Sequence, residues 1–386
     1  MVRTVLVVGA GVAGSTAAYW LARQGLAVTV VEQASGARSS GSPVDVRGPA
    51  YGVAERMGVL PQLHAAATRT TGISAVDAHG RRIGWAPVQL GDGIEIPRSD
   101  LAAILAEAGR DDAEYRYGDT VTSLNDTGDV VEVTFELGGP AQYDLVVGAD
   151  GLHSRVRELA FRTGSFEHLG LYVATVNLSE DAEGRTVLIH NAPGRAVAVH
   201  PVTGRASAAF IFRSPPIPGL DHRDSARQRD IVRETYSGMG WRVPELLERV
   251  GAAEDIYFDA VSRVRMNRWS SGRIVLLGDA ASCVSLFGEG SSLAIAGAET
   301  LSEAVAAQRD DPMGALREYE AAHRRLTTPR QRWLGMASWF MVPATTAGIH
   351  TRNAALRLGP LLDKFGRGDS RSQYRNRETT TPPRNS

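Results

Sequence analysis

The sequence predicts an α/β fold in which a Rossmann-type domain with a parallel sheet is interleaved with an antiparallel-sheet domain and followed by a helical C-terminus. Three observations predict it. Residues 4–8 form a continuous run of apolar and β-branched residues, as a strand buried on both faces requires, and a glycine-rich turn then opens a helix. Residues 166–264 change to short alternating strands broken by turns, which indicates an antiparallel sheet. Residues 273–277 return to a buried strand, followed by a glycine loop and a helix.

On this pattern each domain is assembled from separated segments of the chain. We assign residues 1–75, 98–165 and 265–330 to the nucleotide-binding domain, and residues 76–97 and 166–264 to the second (substrate) domain. Residues 331–365 form the C-terminal helices. Residues 366–386 form a tail without apolar periodicity that is expected to be disordered.

Composition excludes several classes of protein. The chain has 386 residues with 42 Lys and Arg against 43 Asp and Glu, a formal net charge of −1, so we expect no nucleic-acid partner. Its one cysteine, Cys283, excludes an internal disulfide framework and a four-cysteine metal site, and no metal is expected. The longest apolar stretch, residues 333–349, is too short and too polar to span a bilayer, so we expect a cytoplasmic protein with no membrane span. The sequence leaves the oligomeric state open.

The first motif is a GxGxxG pattern at residues 9–14, directly after the first strand. Gly9 makes the turn, Gly11 lets a pyrophosphate approach the backbone, and Gly14 lets the helix pack on the strand. The phosphates then lie at the helix N-terminus, where free N–H groups and the helix dipole favour an anion. Glu32 ends the second strand 18 residues after Gly14 and is placed to accept hydrogen bonds from a ribose. This pattern alone does not distinguish NAD from FAD.

Two further segments favour FAD. In residues 143–157 and 272–293 an apolar strand ends in an aspartate, Asp150 or Asp279, and a glycine loop then opens a helix. A carboxylate at that strand end can accept a ribitol hydroxyl, and the helix beyond Gly290 can stabilise negative charge on a reduced isoalloxazine. Three such strand ends spread over about 280 residues suit a long, extended cofactor better than NAD.

These three segments resemble the GxGxxG, DG and GD motifs of the class A flavoprotein monooxygenases, the para-hydroxybenzoate hydroxylase-like family, which includes aromatic-polyketide hydroxylases and tetracycline-inactivating monooxygenases. The resemblance runs from Val2 to about Leu362. Residues 44–48 resemble the family's mobile segment near the flavin, and residues 97–101 contain its flavin-contacting arginine. The resemblance implies the following FAD-binding residues: Gly9, Gly11, Val12, Ala13, Gly14, Glu32, Gln33, Arg47, Arg98, Val121 (whose backbone meets the adenine), Asp150, Asp279, Gly288, Gly290, Ser291 and Ser292.

The implied reaction is hydroxylation of an aromatic or polyketide-like small molecule. Hydride from NADPH or NADH reduces non-covalently bound FAD, O2 adds at flavin C4a, and the resulting hydroperoxide transfers oxygen. The chain has no second GxGxxG, so the nicotinamide is expected to visit without a Rossmann site of its own. No catalytic side chain is assigned, because protein groups in this chemistry mostly position the reactants and exclude water. Two alternatives remain: an FAD-dependent reductase or dehydrogenase without oxygen transfer, and a non-enzymatic flavin-binding protein.

The substrate pocket is expected between the flavin loop at residues 286–290 and the strand that carries Phe210. The candidate substrate residues are Phe212, Arg213, Leu286 and Phe287. Loop 282–287 departs from the family by being one residue shorter and lacking proline. Two other candidates are interpreted as structural, His153 within the DG motif and Cys283 as a small apolar filler rather than a covalent flavin attachment. Residues 339–341 either pack in the core or cover the mouth of the pocket.

Overall fold

The computed structural model describes residues 1–36, 42–88, 91–161, 165–178, 184–202, 205–221, 223–283, 289–332 and 340–362. It confirms the mixed α/β class. The expected tail at 366–386 lies outside the described residues. Among the described helices, none combines the length and the apolar character needed to cross a membrane.

The strands are β1 (Thr4–Val8), β2 (Ala27–Glu32), β3 (Val44–Val46), β4 (Gly72–Val76), β5 (Arg82–Pro87), β6 (Ile94–Ile96), β7 (Glu114–Tyr117), β8 (Val121–Asp126), β9 (Val131–Phe135), β10 (Ala141–Tyr143), β11 (Leu145–Gly148), β12 (Ser165–Leu178), β13 (Thr186–Ala192), β14 (Arg195–Val202), β15 (Arg205–Arg213), β16 (Tyr257–Arg265), β17 (Ser270–Ser271) and β18 (Ile274–Leu276). The helices are α1 (Val12–Arg23), α2 (Pro49–Arg56), α3 (Leu60–Ala65), α4 (Arg98–Ala108), α5 (Arg155–Ala160), α6 (Ser225–Tyr236), α7 (Val243–Ala252), α8 (Asp279–Ser282), α9 (Glu289–Ala307), α10 (Pro312–Arg332) and α11 (Thr346–Leu362).

The first sheet carries the nucleotide-binding motifs. Its strand order is β17-β18-β11-β1-β2-β7, and every neighbouring pair is parallel except β17 with β18. Strand β1 is central, and its residues from Val5 to Val8 are buried in a core that also contains residues of α1, α9 and the three-stranded sheet β10-β9-β8. The ends of β1, β11 and β18 therefore meet at one edge, which brings together the three motifs that are far apart in the sequence.

Close backbone approach at this edge explains two of the glycines. A Cβ at Gly14 would lie 1.8 Å from the carbonyl oxygen of Gly9, so α1 can pack against the turn only with glycine there. Gly9 has a φ of +102°, and a Cβ on it would lie 2.6 Å from the oxygen of Ala149. By contrast, no atom lies within 4 Å of the position that a Cβ would take at Gly11.

The second sheet has the order β16-β12-β15-β14-β13-β4-β5 and is antiparallel apart from the β13–β4 pair. One face, called here the outer face, packs its aromatic and aliphatic residues against α6 and α7. The opposite or inner face carries Leu171, Ile211 and Val261, which pack with Leu293 of α9 and with Val342. The inner face is therefore turned towards the helix that follows the GD motif.

The sheet pairing differs from the expected domain bounds at two strands, β4 and β6. Strand β4 (Gly72–Val76) pairs with β13 and β5, so it belongs to the second sheet, although residues up to 75 were assigned to the nucleotide-binding domain. Strand β6, expected in the second domain, pairs instead with β3 in a separate two-stranded ribbon. The local pattern identifies a strand but does not indicate its partner, which is a long-range choice.

The segment before α11 is attached to the second sheet. Val342 is fully buried, and its carbonyl oxygen accepts a hydrogen bond from Arg213 Nε at 2.6 Å. The amide of Gly194 donates to the oxygen of Pro343 at 2.9 Å. Of residues 339–341, Met341 packs against the inner-face cluster and Phe340 is 37% exposed, whereas residue 339 lies outside the described residues.

The two glycines of the first turn yield a stability prediction. Gly14→Ala should lower the free energy of unfolding of the flavin-free protein by about 1–3 kcal/mol, because the new Cβ meets a backbone oxygen that cannot move independently. Gly11→Ala is the matched control and should change it by less than about 1 kcal/mol, because the added methyl enters open space. Urea denaturation of both variants measures the difference. Equal unfolding midpoints would contradict the packing role of Gly14.

Candidate active site

The β1–α1 turn leaves an open helix N-terminus. Helix α1 begins after Gly11, which forms no side-chain cap, so the first amides of the helix have no side-chain partner of that kind. The carboxylate of Glu32 braces the turn by accepting hydrogen bonds from the amides of Ala10 and Ala34, both at 2.8 Å. Exposed Gln33 follows it. The open space at Gly11 and the free helix end are the arrangement that a pyrophosphate requires, so this edge fits a dinucleotide.

Val121 reaches the same edge through backbone pairing. The amide of Asp119 donates to the oxygen of Glu32 at 3.1 Å, which holds the start of β8 beside the end of β2. Val121 is fully buried in the core of the first domain.

The DG segment is organised by hydrogen bonds to the Asp150 carboxylate. Asp150 accepts a hydrogen bond from the Ser154 hydroxyl at 2.5 Å and another from the amide of Val156 at 3.0 Å. Ser154 in turn caps α5 by accepting from the amide of Arg157 at 3.0 Å. Burial raises the pKa of Asp150 although these hydrogen bonds oppose the rise. Both oxygens thus help to start α5, so Asp150 positions the DG turn.

The GD segment places Asp279 at the start of α8. Gly278 before it has a φ of +63°, and a Cβ on it would lie 2.8 Å from Ala13 Cβ, so this turn packs directly on the first helix of the GxGxxG motif. Burial raises the pKa of Asp279, while Arg98 and a hydrogen bond from the Cys283 thiol oppose the rise.

Arg98 joins this segment to the second sheet. Burial acts against its charge, but neighbouring Tyr257 and Asp279 raise its pKa above the ordinary value, and it donates a hydrogen bond to the Tyr257 hydroxyl. Burial likewise raises the pKa of Tyr257, against the effect of Arg98. The structure therefore brings together two predicted residues, Arg98 and Asp279, and adds Tyr257, which sequence reasoning missed. Tyr257 begins an ordinary-looking strand about 160 residues from Arg98, and no local motif marks it.

Residues 44–48 are fixed to the N-terminus of α9. The carbonyl oxygen of Asp45 accepts hydrogen bonds from the hydroxyls of Ser291 at 2.8 Å and Ser292 at 2.7 Å. The amide of Arg47 donates to the Ser292 hydroxyl at 3.1 Å, and its guanidinium donates to Glu289 at 2.6 Å. Gly290 lies in the same first turn of the helix. Four of the predicted residues thus meet here, whereas Gly288 lies outside the described residues.

Several charged side chains lie close together around residues 44–48 and the N-terminus of α9. Burial raises the pKa of Asp45 to about 6, Arg47 opposes the rise, and the nearby carboxylates of Glu95 and Glu289 add to it. Glu289 is held between two guanidinium groups, since Arg330 also contacts it at 3.2 Å. Within the described residues, no group of three or more His, Cys, Asp or Glu side chains is arranged to hold a metal.

The expected substrate residues are divided between the two faces of the second sheet. Phe212 is 2% exposed and lies on the outer face, where its ring contacts those of Tyr172 and Tyr236, so its assignment to the pocket is wrong. Arg213 is on the inner face, where it is bonded to Val342. Successive side chains of a strand point to opposite faces, and the sequence does not show which set faces the site. Leu286 and Phe287 lie outside the described residues.

His153 connects the DG segment to the second sheet. Its Nε2 lies 3.1 Å from Asp259 Oδ1, and this hydrogen bond raises the pKa of the imidazole. The contact agrees with the structural interpretation of this histidine.

Comparisons with known proteins agree with this geometry. Residues 3–328 match the family described as FAD binding domain. A flavin-dependent monooxygenase from Legionella longbeachae is 33% identical over 393 residues, covering 96% of this chain and 98% of that protein. The crystal structure of tetracycline destructase Tet(51) has a TM-score of 0.83 at 28% identity and covers 96% of this chain and 100% of that one. The structure of tetracycline destructase Tet(55) has a TM-score of 0.80 at 32% identity, with 93% and 95% covered.

The family match extends over most of the chain and includes all three motif segments at the edge of the first sheet. The Legionella relative spans nearly the full length of both proteins. This chain therefore belongs to the class A FAD-dependent monooxygenases.

Proposed function

We propose that the enzyme hydroxylates an aromatic or polyketide-like small molecule held between FAD and the inner face of the second sheet, with NADPH or NADH as reductant. The observation that carries this proposal is the position of α9, whose first turn is bonded to residues 44–48 through Ser291 and Ser292 and whose Leu293 packs against the inner face. The relation to tetracycline destructases, whose name gives a substrate of four fused rings, supports a polycyclic substrate.

In this proposal each part of FAD meets a different element. The pyrophosphate lies at the backbone of Gly11, Val12, Ala13 and Gly14, because the amides of a helix N-terminus favour an anion. Glu32 and Gln33 face the ribose, and the backbone at Val121 faces the adenine. Both oxygens of Glu32 already brace the turn, so its removal should affect stability as well as binding.

At the other end of FAD, Asp279 would accept a ribitol hydroxyl, and Arg98 would stabilise the carboxylate. The first turn of α9, with Gly290, Ser291 and Ser292, would hold the isoalloxazine together with Arg47. When bound, FAD supplies the redox and oxygen-activating chemistry. The side chains of this chain bind the reactants, orient them and exclude water, and Asp150 positions the DG turn through α5.

Removal of the Asp279 carboxylate tests the placement of FAD. Asp279→Ala should weaken FAD binding about 10- to 150-fold, because a hydrogen bond to a charged group contributes roughly 1.5–3 kcal/mol. Asp279→Asn is the shape-matched control and should lose less, since the amide oxygen still accepts. Titration of flavin-free protein with FAD, followed by quenching of flavin fluorescence, measures both. Unchanged affinity in Asp279→Ala would show that the ribitol lies elsewhere.

A second prediction concerns the attachment of the cofactor. The purified protein should carry about one FAD per chain, and acid precipitation should release all of it, because the Cys283 thiol is buried and hydrogen-bonded to Asp279. Absorbance of the supernatant and of the pellet measures the partition, and Cys283→Ala should behave in the same way. Yellow colour that stays in the pellet of the parent protein and disappears in the variant would mean covalent attachment.

Isotope incorporation tests the reaction itself. A suitable fused-ring aromatic compound should accelerate NADPH or NADH oxidation above the basal rate, and the product should gain one atom of 18O from labelled O2. A panel of aromatic and polyketide compounds, analysed by mass spectrometry, provides the measurement. Product formed without label would favour the reductase or dehydrogenase alternative. No stimulation by any compound would favour a flavin-binding protein without this activity.

A further inference from the structure

Three polar side chains from neighbouring strands lie on the inner face of the second sheet. Thr175 of β12 is directly opposite Tyr257 of β16, which contacts Arg98, so Thr175 shares the inner face with that tyrosine. Two residues further along the register, Ser207 of β15 is directly opposite His200 of β14. We call Thr175, Ser207 and His200 the polar strip.

The polar strip is buried without internal partners. Thr175 and Ser207 are 4% and 5% exposed, and neither hydroxyl has a hydrogen-bond partner among the described residues. The Nδ1 atom of His200 is likewise inaccessible to solvent and unpaired within the described part of the chain. Buried polar groups in native proteins are nearly always paired, so a ligand that supplied hydrogen bonds to all three groups on this one face would be favoured.

The surroundings of the polar strip are apolar. Val187, Ala198 and Ala209 form a buried cluster with Ile73 and Ile189. Strand register places all five on the inner face, next to the strip. Apolar walls with a few convergent polar groups are typical of small-molecule sites.

The imidazole of His200 is suited to a neutral polar partner. Burial lowers the pKa of His200, with the Glu95 carboxylate opposing this effect. Glu95 is itself bonded to Thr68, whose hydroxyl donates to it. A neutral imidazole offers one nitrogen as donor and one as acceptor, and the hydroxyls of Thr175 and Ser207 can do either. The strip is therefore complementary to hydroxyl and carbonyl groups rather than to a charged group.

We propose that the polar strip binds oxygen substituents on two different rings of a fused-ring substrate, one at Ser207 and His200 and the other at Thr175. The spacing supports two rings, because directly opposite side chains are about 5 Å apart and diagonal ones about 7–8 Å. A single hydroxyl group on the substrate cannot contact both Thr175 and the pair formed by Ser207 and His200. The inference rests on the proposed function for the position of the substrate on the inner face, and it adds the pattern of substituents that the enzyme selects.

Two matched probes test this pattern on the FAD-loaded protein. 2,7-Dihydroxynaphthalene carries a hydroxyl on each ring, whereas 2-naphthol has the same skeleton with one. The parent protein should bind the dihydroxy probe about tenfold more tightly, as one additional hydrogen bond allows. Isothermal titration calorimetry gives both dissociation constants.

Three variants locate the effect. Ser207→Ala and Thr175→Val should each reduce the preference for the dihydroxy probe at least threefold, while ligand-free stability stays equal or rises, because an unpaired buried hydroxyl is removed. Ser74→Ala is the control, since Ser74 is another buried hydroxyl without a partner in the described chain but lies on the outer face, in register with Leu188 and Val199. It should keep the full preference.

The outcomes separate this inference from the proposed function. Equal affinity for the two probes, no binding of either, or an equal loss in Ser74→Ala would overturn the polar strip as a binding surface and would indicate that it holds only water. A retained preference in the parent protein, with no 18O incorporated from any substrate, would overturn the proposed hydroxylation and leave the strip intact.

Discussion

The arrangement of the site depends on how the charge of Arg98 is satisfied, because the groups that interact with its guanidinium come from two different sheets. An ionised group removed from water is tolerated only when it is paired and hydrogen-bonded, and Arg98 finds its partners in two different sheets. Asp279 belongs to the turn after β18 in the first sheet, whereas Tyr257 begins β16 in the second. Separation of the two sheets would leave the charge without its partners, so this contact fixes the inner face relative to the GD segment. The position of α9 and of residues 44–48 follows, because both are bonded to each other beside that segment.

The parts of the site that could be predicted from the sequence are those whose physics is local. A strand, a glycine turn and a helix within ten residues determine the shape of the β1–α1 edge, and the same logic applies at Asp279. A Cβ at Gly14 would clash with Gly9, whereas a Cβ at Gly11 would enter open space, so these two glycines of one motif have different roles. One permits packing and the other leaves room for a ligand.

The parts that could not be predicted depend on register between distant strands. Phe212 and Arg213 are neighbours in sequence, yet one faces α6 and the other faces the site. Alternation is visible in the sequence, but the face that is turned inward depends on which helices cover the sheet. Tyr257 and the polar strip become neighbours only when β16, β12, β15 and β14 pair. The assignment of β4 to the first domain is wrong for the same reason, because a strand does not carry the identity of its partner.

Polar and charged groups are buried on the inner face and at the N-terminus of α9, at a cost in stability. The outer face beneath α6 and α7 is packed with aromatic and aliphatic groups in the way that cores usually are. Near the site, burial raises the pKa of Asp45 and Asp279, lowers that of His200, and leaves the hydroxyls of Thr175 and Ser207 unpaired. Each of these groups would be more stable in water or with a partner. Because a ligand that supplies those partners binds only the folded chain, FAD and substrate should stabilise this region selectively.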